Sequence, residues 1–151
     1  MTNLVRDCRM FEFPQPKGSV FLQEGLIHRT SWGLAVRSKS ELLIAEALDK
    51  AGVRPEYEKP LILGGATRYP DFTIQDDISG RTIYWEHLGL LHREDYRRSW
   101  EKKREWYRAN GVLPHGEGGG SDGMLVVTRD DVAGGFDSQA LTQLIKELFG
   151  G

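Results

Sequence analysis

Tyr69-Pro70-Asp71-Phe72-Thr73-Ile74, Gln75-Asp76-Asp77-Ile78-Ser79-Gly80 and Tyr84-Trp85-Glu86-His87-Leu88-Gly89 decide how this chain reads. Two aromatic-rich, strand-like runs flank a polar turn, and each run carries one carboxylate. Closing the turn as a hairpin sets Asp71 beside Glu86. Two acids on paired strands repel one another, and that repulsion costs free energy. A divalent cation between them removes the cost, since Mg²⁺ takes carboxylate oxygens, waters and substrate phosphate. The pair therefore points to a hard-metal site and hydrolytic chemistry. The plainer alternative is two solvated acids at strand ends.

Upstream, Ser38-Lys39-Ser40-Glu41 has the form of a helix capping box, and the apolar run Leu42 to Leu48 follows. With Gly52 as its stop, a helix over about residues 39–51 is expected. Pro55 to Leu63 reads as a strand broken by proline, with Gly64-Gly65 as a turn. Strands are expected at 70–75 and 81–88, and a long helix at about 93–109, closed by Gly111. Pro114 to Gly123 reads as a glycine-rich flexible loop, Met124 to Thr128 as a buried strand, and Ser138 to Phe149 as a final helix. The sum is an α/β fold, a mixed sheet flanked by helices in the order α-β-β-β-α-β-α. Residues 1–37 form an arm without a clear assignment, and 38–151 form the domain.

Composition bounds the function. The chain has 151 residues, 39% hydrophobic and 28% charged, the range of one ordinary globular domain. A formal net charge of −2 gives no bulk case for nucleic-acid binding, so only local patches serve. The single cysteine, Cys8, excludes an internal disulfide framework and a multi-cysteine zinc site, and it has no base partner for nucleophilic work. Arg6, Asp7 and Arg9 with no long apolar run speak against a signal peptide or membrane span, so a cytoplasmic protein with no membrane partner is expected.

Other residues bear on chemistry. Glu41 either caps its helix or ends the apolar stripe Glu41, Ala45, Leu48 as a third metal contact through water. Tyr96, Trp100, Lys103 and Tyr107 are spaced by 4, 3 and 4 residues and form one helical stripe. Lys103 inside it either steadies an attacking water or phosphate, or snorkels to solvent along Trp100. Arg97, Arg98, Lys102, Arg104 and Arg108 offer a backbone-contacting strip, diluted by Glu94, Asp95, Glu101 and Glu105. His87 points to the sheet face opposite Glu86 and reads as structural. Asp130-Asp131 reads as a turn or cap pair.

Taken in order, Arg37-Ser38-Lys39-Ser40-Glu41, Tyr57-Glu58-Lys59-Pro60-Leu61, Tyr69-Pro70-Asp71, Trp85-Glu86-His87-Leu88-Gly89 and Trp100-Glu101-Lys102-Lys103 resemble the PD-(D/E)XK nuclease superfamily of restriction-endonuclease-like fold. Within it they look like a subgroup found alone or fused to helicases and other ATPases. The resemblance implies Asp71 and Glu86 as ligands of Mg²⁺ or Mn²⁺, with the His87 backbone carbonyl as a further ligand and Glu41 as accessory acid. It implies DNA as substrate, whether single-stranded, duplex or branched. A homodimer or an associated helicase or ATPase is the expected company, and Arg97, Lys102, Arg104 and Tyr107 the expected nucleic-acid contacts. One position departs from the pattern: the lysine due two residues after Glu86 is Leu88. The role then falls to Lys103, or the site is impaired and the domain is a nucleic-acid-binding or interaction module. A structural part of a larger assembly is the third alternative.

Overall fold

The computed structural model describes residues 25–131, 133 and 135–150. Cys8 and the first 24 positions of the expected arm lie outside the described residues. By contacts the chain divides after Leu42.

Before that division, β1 (His28–Arg29) and β2 (Ala35–Val36) pair antiparallel. The Thr30 hydroxyl accepts from Leu34 N at 2.9 Å inside their turn. Helix α1 (Lys39–Lys50) begins with the expected reciprocal cap. Ser38 Oγ accepts from Glu41 N at 3.1 Å, while Glu41 Oε1 accepts from Ser38 N at 3.2 Å and Arg37 N at 3.1 Å. These bonds satisfy N–H groups that a helix start leaves without partners. Further along α1, Ile44, Ala45 and Leu48 are fully buried. The helix stops where Gly52 adopts a φ of 82°, a left-handed conformation open to glycine at little cost.

The unit from Leu43 onward is built on a five-stranded mixed sheet. Short β3 (Glu56–Tyr57) starts it. The expected strand from Pro55 to Leu63 does not run through: Glu58 takes a φ of 52°, and Pro60 has no N–H to donate. The chain leaves the sheet and forms a separate hairpin of β4 (Leu61–Leu63) and β5 (Ala66–Arg68). Gly64 and Gly65, both at positive φ, close it as a two-residue turn. Next come β6 (Phe72–Asp76) and β7 (Arg81–Leu88), antiparallel, with Phe72 opposite Trp85 and Asp76 opposite Arg81. Asp76 shapes the turn between them, its carboxylate accepting from Ile78 N and the Ser79 hydroxyl.

Helix α2 (Glu94–Ala109) follows, then β8 (Val112–Pro114), a 3₁₀ turn at His115–Glu117, β9 (Gly123–Arg129) and α3 (Ser138–Phe149). The sheet order is β3-β6-β7-β9-β8, with β9 parallel to both β7 and β8. β8 was not expected, and Pro114, assigned to a loop, ends it. The glycine-rich stretch after it is tied down: Arg81 donates to Gly118 O at 2.7 Å, and Gly120 bridges Gly123.

Side chains alternate along a strand, so Tyr84, Glu86 and Leu88 share one face of β7. Their parallel partners on β9 are Leu125, Val127 and Arg129. On this face Tyr84, Tyr107, Val112 and Leu125 form a buried cluster, joined by Trp100, Trp106, Val127 and the β4 leucines. The opposite face carries fully buried Phe72 and Trp85 with Ile74, Ile83 and Val126. Each such buried aromatic contributes about 1.5–3 kcal/mol relative to exposure. In α3, Asp137 accepts from Ala140 N at 3.0 Å as the N-cap, and Leu141 and Ile145 are buried one turn apart.

Candidate active site

Pairing fixes the first two acids. Residues of β6 and β7 face one another in antiparallel order up to Phe72 and Trp85. Asp71, one step before β6, therefore falls opposite Glu86, one step further along β7. Its carboxylate replaces the ladder that has just ended: Oδ2 accepts from His87 N at 2.7 Å. The Asp71 backbone carbonyl meanwhile accepts from Glu58 N at 3.0 Å, so the strained residue after β3 helps hold this position. Pro70, fully buried, precedes it.

Glu86 is buried on the face that meets α2. A carboxylate in such a place needs compensation. Two groups of α2 supply it, and both meet the same oxygen. Lys103 Nζ lies 2.7 Å from Oε2, and the Tyr107 hydroxyl donates to it at 2.5 Å. Lys103 also donates to Tyr69 O at 3.0 Å. One ammonium thus links α2 to both acid-bearing strands, at its acid on β7 and at the residue that leads into Asp71. The Lys103 side chain keeps 23% of its surface exposed, against 5% for Glu86, so the centre opens toward solvent on the lysine side.

The stripe Tyr96, Trp100, Lys103, Tyr107 is the inward side of α2, as its spacing predicts: Tyr107 is buried and the other three are half-buried. Tyr107 corrects one expectation. It has no exposed surface and cannot contact nucleic acid; its hydroxyl supports Glu86 instead. Burial first, then the Glu86 charge and its hydrogen bond, then Asp71 and Tyr84, push the Tyr107 hydroxyl far above its usual range. It therefore stays protonated and donating at any ordinary pH. Tyr84, stacked on Tyr107 with ring centroids 6.2 Å apart, is also raised, by burial and then by Asp122.

Leu88, where a lysine was due, is 4% exposed and faces the same side as Glu86. The side chain there is apolar, and the cation beside Glu86 comes from α2. Glu41 belongs to the unit before the division, where it caps α1. Among the described residues no group of three or more His, Cys, Asp or Glu side chains gathers as a metal shell. What Asp71 and Glu86 offer is a hard, all-oxygen donor set of two acids. That chemistry suits Mg²⁺ or Mn²⁺ better than a thiolate- or imidazole-seeking metal.

His87 points away from this centre. Its Nδ1 lies 2.8 Å from Thr128 Oγ1 and its Nε2 lies 2.9 Å from Asp130 Oδ1. Trp85 Nε1 donates to the same Thr128 oxygen at 3.0 Å. Phe136 lies against the imidazole, with ring centroids 5.6 Å apart. Asp130 is thus more than a turn residue, whereas Asp131 is a turn former, accepting from Ala133 N and Gly135 N. The alternation of Thr128 and Asp130 was the signal for this cluster; its pairing with His87 was not readable without the parallel register.

On the outer side of α2, most of the basic strip is engaged. Arg98 pairs with Glu94, Arg104 with Glu101, and Arg108 with Glu117. Arg97 donates to Leu91 O at 2.6 Å. Lys102 is exposed. Among the described residues no helix is long and apolar enough to cross a membrane.

No protein-family model matches the chain. It is 38% identical over 80 residues to an uncharacterized protein of Methanocaldococcus jannaschii, a similarity that covers 52% of this chain and 7% of that protein. The chain therefore spans a small fraction of the length of the relative that it matches.

Proposed function

We propose that this chain is a nuclease of the PD-(D/E)XK type, on a restriction-endonuclease-like fold, that hydrolyses DNA phosphodiester bonds with Mg²⁺ or Mn²⁺. The observation that carries this reading is the meeting of Glu86, Lys103 and Tyr107, beside the register position that sets Asp71 opposite Glu86. Asp71 and Glu86, with the His87 backbone carbonyl, would hold the cation. When bound, the cation polarises a phosphoryl oxygen and makes water more acidic.

The chain's own groups have separable tasks. His87 N fixes one oxygen of Asp71, which leaves the carboxylate a single orientation. Tyr107 does the same for Glu86 from the buried side. Lys103, on the open side, orients the attacking water and offsets the charge that grows on the phosphate oxygens, an electrostatic role that a fixed ammonium performs well. Glu41 is an accessory acid in this reading, in addition to its cap. DNA, an associated helicase or ATPase, a second copy of the chain and a cytoplasmic setting belong to the same proposal.

One observation favours a second reading. Leu88 is buried where a lysine was due, and Lys103 is already held by Glu86 and Tyr69 O. A domain that binds nucleic acid without cutting it fits those facts. The test is to incubate the protein with single-stranded, duplex and branched DNA in Mg²⁺ or Mn²⁺. Cleavage that Asp71→Ala abolishes supports the nuclease; no cleavage of any substrate, or cleavage indifferent to Asp71→Ala, overturns it.

A further inference from the structure

Beside the acidic centre lies a cleft of about 270 Å³ whose walls are Leu88 and Leu91, Trp100, and three arginines, Arg97, Arg104 and Arg129. Its position follows from the strand and helix periods. Leu88 is two residues past Glu86 on the same face of β7, roughly 7 Å along the strand. Trp100 is one turn before Lys103 on the inward stripe of α2, and Arg129 is the β9 partner of Leu88. The cleft therefore continues the centre toward the ends of β7 and β9.

We propose that this cleft is a subsite for one unpaired nucleotide of the strand being cut, with its phosphate on the arginines and its base against Trp100. The proposal rests on the nuclease reading and names the form of its substrate. Guanidinium groups are planar forks that match phosphate oxygens in pairs. Glu101 also lines the cleft and pairs with Arg104, which leaves an excess of positive charge. Arg129 is exposed and makes no ion pair among the described residues. Arg97 spends one N–H on Leu91 O and keeps the rest of its fork. An indole face takes any base by stacking, and two leucines give the sugar and base edge an apolar floor. The volume falls just below the usual range of small-ligand pockets, a size for one nucleotide unit and not for a base pair. A solvated salt-bridged surface explains Arg104 but gives no reason for Trp100 and Arg129 to share a concavity with it.

The test is binding in EDTA, where no cleavage occurs. Anisotropy of a labelled oligo-dT strand and of a duplex of equal length is measured against salt. Single-stranded DNA is expected to bind more tightly than duplex. Arg129→Gln should lower affinity and reduce the slope of log K against log salt by about 0.7, the value for one phosphate contact on a single strand. Trp100→Leu should weaken binding by roughly tenfold. Since Trp100 also touches the core cluster, its effect counts only with an unchanged circular dichroism spectrum, and Arg97→Gln with Arg129→Gln serves as the surface variant. Equal affinity for duplex and single strand, or salt slopes indifferent to Arg97→Gln with Arg129→Gln, would overturn the subsite. Arginine-dependent binding without cleavage in Mn²⁺ would keep the subsite and discard the nuclease. Cleavage without such binding would do the reverse.

Discussion

Glu86 and His87 are neighbours on β7, both buried and both ionisable, yet the two faces of the strand use them in opposite ways. His87 has both ring nitrogens engaged, by Thr128 and Asp130, with 4% of its side chain exposed. Every partner sits on β9 or just after it, so this face is closed and self-satisfied. Glu86 draws its partners from a helix, and one of them, Lys103, stays partly in solvent. A charge held against an ammonium at a solvent edge has water and ligands within reach; an imidazole held at both nitrogens does not. The comparison separates an open, charge-bearing face from a closed, cementing face one residue apart. Asp71 joins them, because its carboxylate holds the backbone N–H of His87 while its position faces Glu86.

Substitutions should divide along the same line. Asp71→Ala carries the largest expected effect, a loss of about 10³-fold or more in kcat for DNA cleavage, at least that of losing one strong transition-state donor. Lys103→Met is expected to cost about 10²–10³-fold in kcat with a smaller change in KM, since its charge matters most when phosphate charge develops. It should also lower the melting temperature, because it leaves Glu86 buried without its cation. Added Mn²⁺ should restore part of that loss by binding only the folded chain. A Lys103→Met protein of full activity would place the reactive cation elsewhere and blur the contrast.

Tyr107→Phe sits next in size. Loss of a group that orients a ligand typically weakens metal binding about 10–100-fold, which calorimetry with Mn²⁺ reads directly. The same variant has a pH signature. The folded hydroxyl titrates far above the ordinary tyrosine value of 10.0. Its contribution to stability is therefore complete below that value and is lost as pH rises past it, because the unfolded tyrosine ionises first. Urea denaturation should show stability falling above about pH 10, and falling less steeply in Tyr107→Phe. Thr128→Val, on the cementing face, should show the smallest functional effect. It leaves Trp85 Nε1 and His87 Nδ1 without their shared partner, at a cost of about 1–3 kcal/mol in stability, while the cleavage rate per folded molecule holds. A large loss of rate in Thr128→Val would show that the two faces are not separate.

Sequence reached the parts of this arrangement that local rules govern. The alternation of strand side chains puts Glu86 and His87 on opposite faces without any knowledge of their partners. Helical spacing identifies the stripe that brings Lys103 and Tyr107 inward, and the S-x-x-E pattern locates the start of α1. What escaped depends on non-local pairing. β8 lies in a stretch whose glycines and single proline argue against a strand, and it forms because β9 runs beside it. The His87–Asp130 contact needs the parallel register of β7 and β9. Glu58, a residue that rarely takes positive φ, breaks an otherwise continuous strand reading. The misjudged role of Tyr107 has a different origin: its place on the inward stripe was visible, but the buried acid that captures its hydroxyl was credited to the metal alone.

The central claim is that Asp71 and Glu86 together take a divalent cation, with Lys103 as the group that answers to it. Crystals grown or soaked in Mn²⁺ test this directly through the anomalous signal. The account predicts a peak bound by carboxylate oxygens of both Asp71 and Glu86, and a Lys103 ammonium that yields its 2.7 Å contact with Glu86 Oε2 to the ion. An empty map at saturating Mn²⁺, with Lys103 still seated on Glu86, would contradict it and leave a structural ion pair in place of a catalytic centre.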